Sequence, residues 1–80
     1  MTTEKFKALS LNRKADIVCL KGVLLGERET SYFEVSLFGI DGFYVEVFYH
    51  KKYKTTHFEA FDNPCLLSPY LSEINLTGLF

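Results

Sequence analysis

The sequence predicts an α+β domain: an N-terminal helix packed on a three- or four-stranded antiparallel meander, closed by a short C-terminal helical turn. Three observations lead there. Leu11 to Lys21 is a run of helix-compatible residues between Ser10, which can cap a helix N-terminus, and Gly22, which can end one. After Gly22 the apolar residues recur at every second position, the repeat of a half-buried strand. Turn-forming residues then punctuate the chain at Asp41-Gly42 and at Asn63-Pro64, and the polar run His-Lys-Lys-Tyr at 50–53 separates two further strand patterns.

In chain order, the helix places Leu11, Ala15, Val18 and Cys19 on one stripe, while Ile17 and Leu20 point to a different side. Apolar on more than one face, it needs a second cover, either the chain's own C-terminal segment or another copy of the protein. Val23 to Glu29 reads as a first strand with Gly26 at a bulge, or else as an extension of the helix. Strands at 32–38 and 43–49 follow, the first with Phe33, Val35 and Leu37 on one face and the second with Phe43, Val45, Val47 and Tyr49 on one face. A two-residue Asp41-Gly42 turn would set Ser36 beside Val47, a polar face against an apolar one. The expected register is therefore that of a three-residue loop, Ile40-Asp41-Gly42, which pairs Leu37 with Val45, Val35 with Val47 and Phe33 with Tyr49. A four-residue turn at 50–53 then sets Tyr49 beside Lys54, Val47 beside Thr56, Val45 beside Phe58 and Phe43 beside Ala60. The helix is expected on that face. Ser68-Pro69-Tyr70-Leu71 reads as a cap and a proline opening a short helix, and the apolar tail at 76–80 calls for burial.

All 80 residues read as one domain, with 48% hydrophobic and 24% charged residues excluding disorder and low-complexity repeats. Nine Lys and Arg against ten Asp and Glu give a net charge of -1, which argues against affinity built on neutralising many phosphates. No signal peptide or membrane span is expected, since the most apolar stretch, 17–25, is cut by Lys21 and Gly22. Cys19 and Cys65 do not make a disulfide framework and are expected as reduced, buried thiols in the cytoplasm.

Eight Phe and five Tyr are many for so small a chain. The expected register lines up Tyr32, Phe38, Tyr44, Phe48 and Tyr53 with Glu34, Glu46 and Glu59 on the outer sheet face, more aromatic surface than a small monomer usually leaves in water. Those five aromatics, with Ile17 and Leu20 on the second helix face, are the candidate interaction residues, because interface cores are enriched in Tyr and Phe. The same register puts Ser36, Glu46 and His57 in one row, but a triad needs its histidine between nucleophile and carboxylate, so a Glu46 to His57 cross-strand pair is expected instead. Cys19, Cys65, His50 and His57 lack the paired spacing of zinc ligands, and the five glycines are scattered rather than gathered into a phosphate loop. No cofactor, metal, small-molecule substrate or catalytic group is expected.

The run Ser-Leu-Asn-Arg-Lys-Ala-Asp at 10–16, the segment Leu-Phe-Gly-Ile-Asp-Gly-Phe-Tyr-Val-Glu-Val-Phe-Tyr at 37–49 and Ser-Pro-Tyr-Leu at 68–71 together resemble a family of short uncharacterised bacterial proteins. The resemblance covers nearly the whole chain and implies a helix followed by an antiparallel meander. It implies no activity. The expected function is a non-enzymatic interaction module, a homodimer or the partner of another protein. The alternative is a small nucleic-acid-associated regulator using Arg13, Lys14, Lys21 and the lysines of the 51–54 turn.

Overall fold

The computed structural model describes residues 1–63, so the helical turn at 68–71, the apolar tail at 76–80 and Cys65 lie outside the described residues. Two helices, α1 (Thr3–Lys7) and α2 (Leu11–Lys21), precede four strands, β1 (Val23–Glu29), β2 (Phe33–Ile40), β3 (Phe43–His50) and β4 (Thr56–Phe61). The strands form one antiparallel sheet in chain order, with β1 and β4 as its edges among the described residues. This is the expected α+β meander, with four strands.

Helix α2 has the bounds read from the sequence, and Ser10 caps it by accepting a hydrogen bond from the Arg13 N–H at 3.3 Å. Helix α1 was not foreseen. Its five residues are too few to show an apolar period, yet Thr2 caps it by accepting from the Lys5 N–H at 3.2 Å, and Phe6 is driven wholly into the core. There Phe6 meets Phe43 at 5.8 Å and Phe58 at 6.4 Å, both tilted toward edge-to-face geometry. The roll of α2 also differs from expectation. Val18, Ala15 and Ile17 turn inward, while Leu11, Cys19 and Leu20 face outward. A single residue, Gly22, connects α2 to β1, which leaves no slack to rotate the Leu11 and Cys19 stripe onto the sheet. Cys19 is thus an exposed thiol and not a buried one.

The β2–β3 register corrects the expected one. Asp41 and Gly42 have φ values of 46° and 87°, both left-handed, and form the two-residue primed turn that pairs Ile40 with Phe43, Phe38 with Val45 and Ser36 with Val47. Phe33, Val35 and Leu37 therefore lie on the side away from the helices. Phe38 and Ile40 take the helix side, where Ile40, Phe43, Val45, Phe58 and Ala60 form the core with Phe6 and Val18. Alternation could not decide this, because β2 is apolar on both faces. The turn's match to strand twist decided it, along with the burial of Phe38 and Ile40 at the hairpin end.

Gly42 carries that turn, and an added Cβ there would meet nothing within 4 Å. Gly42→Ala should therefore cost about 1–2 kcal/mol purely through the left-handed backbone, and Gly42→Asn less, because Asn tolerates this region. Urea midpoints of the two variants check it.

The β3–β4 register moves by two residues, so the expected faces survive: Tyr49 pairs with Thr56, Val47 with Phe58 and Val45 with Ala60. The turn lies one position later than expected, closed by His50 N–H to Thr55 O at 2.8 Å and Lys54 N–H to His50 O at 2.8 Å, with Lys54 left-handed at φ 58°. The sequence gives no Gly or Asn there to announce it. The segment 23–29 is a strand, and the register slips between Leu24 and Gly26, making Leu25 the extra residue of a bulge.

Candidate interaction site

The outer face of the sheet now has a definite membership. From β2 it takes Phe33, Val35, Leu37 and Gly39, from β3 Tyr44, Glu46, Phe48 and His50, and from β4 His57, Glu59 and Phe61. Arg28 on β1 and Glu46 on β3 pair at 3.3 Å, although β2 lies between their strands. Their side chains therefore cross above β2, over Val35 and Leu37, both of which are buried. The Arg28 guanidinium also lies 5.9 Å from the centre of the Phe48 ring.

The aromatics of this face pair across strands. Phe33 meets Phe48 edge-on at 5.8 Å, Tyr44 stacks on Phe61 at 5.5 Å, and Phe48 lies against His57 at 6.3 Å. Tyr44 and Phe48 are on the expected side but only partly exposed. Phe38 is on the helix side, and Ile17 packs against the core, both of them partly buried there. The expected row of Ser36, Glu46 and His57 does not assemble. Ser36 faces the helix side opposite Val47, Glu46 stands opposite Leu37 and Glu59 with Arg28 as its ion partner, and His57 pairs with Glu59. Once β2 is turned over, every cross-strand neighbour inferred for it changes too.

Open apolar surface lies elsewhere. Leu20 is 81% exposed in the last turn of α2, and Val23, Leu24 and Leu25 at the start of β1 are each half exposed or more. Four of six consecutive residues are thus large aliphatics in water, one at the end of α2 and three on the edge strand of the sheet. The second half of β1 carries Glu27, Arg28 and Glu29, the kind of charge that discourages edge-to-edge pairing, whereas the first half carries none. Only Leu20 of this belt was singled out from the sequence. The signal was the run 20–25, which strand alternation around a suspected bulge obscured.

A second exposed group sits where β2 begins and β3 ends. Tyr32 and Tyr53 are 67% and 66% exposed on either side of His50. Of the basic residues expected to serve the alternative nucleic-acid-associated regulator, Lys51 is held by Glu29 and by the Thr30 carbonyl at 2.9 Å, and Lys21 pairs with Asp41 at 3.5 Å.

Among the described residues, no group of three or more His, Cys, Asp and Glu is gathered as a metal site, and no helix is long and apolar enough to cross a membrane. No protein-family model matches the chain, and no curated protein or solved structure matches it. The functional reading therefore rests on the geometry of this chain.

Proposed function

We propose that this chain is a non-enzymatic protein–protein interaction module that self-associates, and that it does so through the 20–25 belt. The observation that carries this reading is the exposure of Leu20 at the end of α2 and of Val23, Leu24 and Leu25 on the adjoining uncharged half of the β1 edge, with the one charge among them, Lys21, paired to Asp41. Strand edges with free backbone groups pair readily, and burying a half-exposed aliphatic against a partner is favourable by roughly 25 cal/mol per Å² of apolar area. A second copy is the occupant that such an edge suits. Two β1 strands related by a two-fold axis present the same surface to each other, so a single patch serves both sides. The outer aromatic face contributes less than the sequence suggested, because its rings already pair with one another. A reducing, cytoplasmic setting belongs to the same proposal, since it keeps the exposed Cys19 a thiol.

Light scattering coupled to size exclusion, over a range of concentration and at low and high salt, tests the reading. The expected result is a dimer that persists in high salt and that Leu20→Glu with Leu24→Lys converts to monomer, with an unchanged circular dichroism spectrum. A wild-type monomer at all concentrations, or a dimer indifferent to both substitutions, would sink it.

A further inference from the structure

We propose that Tyr32, His50 and Tyr53 form a stacking platform for a short single-stranded nucleic-acid segment, at a surface separate from the 20–25 belt. The three rings are arranged in series. Tyr32 lies 6.3 Å from His50 at an interplanar angle of 26°, and His50 lies 4.6 Å from Tyr53 at 37°. Phe33 supports the central imidazole edge-on at 4.9 Å. The two outer rings are about two-thirds exposed, so each keeps surface on which a base can lie.

The platform is prebuilt. His50 Nδ1 accepts hydrogen bonds from the Lys52 N–H at 3.2 Å and the Tyr53 N–H at 3.1 Å, which fixes the imidazole plane and the turn that carries Tyr53. On the other side the Lys51 N–H donates to the Tyr32 carbonyl at 2.9 Å, tying the residue before β2 to the residue after β3. A ligand landing here therefore orders little of the protein, and the entropy that usually opposes binding is reduced.

Charge favours an anionic strand at this end, despite the net charge of -1. Lys52 places its ammonium 5.4 Å from the centre of the Tyr53 ring, and Lys54 stands exposed in the same turn. The nearby carboxylates do not oppose them. Glu29 is engaged by Lys51, Glu34 stands opposite Tyr49 in the β2–β3 register and so on the helix side of the sheet, and Glu46 is engaged by Arg28. Two cations beside two open rings suit one or two phosphates with their bases; the wide basic surface that the composition excludes is not needed. A proline-rich peptide would need rings splayed into a groove, whereas here they lie one against the next.

The test is fluorescence anisotropy of the full chain with a labelled oligothymidylate of about fifteen nucleotides, within the span that small stacking domains cover. At low salt, Tyr32→Ala and Tyr53→Ala should each weaken binding by about fivefold or more, while Tyr53→Phe should retain it. Lys52→Glu with Lys54→Glu should flatten the dependence of log K on log salt by about one to two. Both tyrosines are exposed, so these losses do not reflect unfolding. The Leu20→Glu, Leu24→Lys chain should bind the oligonucleotide as the wild type does, which separates this proposal from self-association. Absence of binding at low salt, binding indifferent to both alanine variants, or salt-insensitive capture of a polyproline peptide instead would overturn it.

Discussion

Phe6→Ala should destabilise the domain by about 3–5 kcal/mol, the cost of deleting a buried aromatic from a core that cannot close around the gap. An 80-residue chain is held by only about 4–12 kcal/mol, so this one substitution removes a large part of the total. The effect is large because Phe6 is the only fully buried residue of a five-residue helix that could not persist alone. Its ring bridges Phe43 on β3 and Phe58 on β4, and through those contacts α1 closes one end of the core. Phe6→Leu, which leaves much of the volume filled, should cost distinctly less. Urea denaturation followed by circular dichroism checks both; a loss under about 1 kcal/mol for the alanine variant would mean that α1 contributes little to the folded state.

Gly22→Ala should cost about 1–3 kcal/mol, although the backbone there, at φ -73° and ψ 138°, is open to any residue. The obstacle is space. An added Cβ would lie 2.4 Å from the Val18 carbonyl oxygen and 3.1 Å from Phe38 Cδ1. The first is the acceptor for the Gly22 N–H, at 2.9 Å, so relieving the clash pulls apart the bond that ends α2. The second is a core-side ring of β2, so the movement carries into the sheet. Against this stands a gain of roughly 0.4–1 kcal/mol from restricting the unfolded chain, which the clash outweighs. Gly39→Ala makes the contrast: its Cβ would approach Leu25 Cδ1 at 3.2 Å, the end of an exposed side chain that can turn away. Thermal melts of the two variants should therefore separate clearly, with the lower midpoint at position 22.

Helix α2, the strand content and the position of the first hairpin turn were legible in the sequence because each has a local cause. Ser10 caps, Gly22 ends α2, and Asp41-Gly42 turns the chain. What was not legible was set by contacts distant in sequence. Phe6 sits in a segment with no period to mark it, and its burial depends on Phe43 and Phe58. The face of β2 could not be read because Phe33, Val35 and Leu37 on one side and Phe38 and Ile40 on the other are equally apolar. Choosing the wrong one also misplaced Ser36 and Phe38, while the two-residue shift between β3 and β4 separately replaced the expected Glu46 to His57 pair with Glu46 beside Glu59. The preference for a primed turn at Asp-Gly was the stronger signal. The candidate residues that stay open to solvent, Leu20, Tyr32 and Tyr53, lie at element ends, where a wrong face assignment matters least.

The position of β2 has a consequence for how this chain can change. Both of its long edges are bonded, to β1 and to β3. One face holds Ile40 in the core, and the other has the Arg28 and Glu46 side chains crossing over Val35 and Leu37. A longer or charged side chain at positions 35, 37 or 40 has no direction in which to grow. The strand is enclosed on four sides, so new chemistry would have to be acquired at the rim of the molecule, where both of its exposed surfaces already lie.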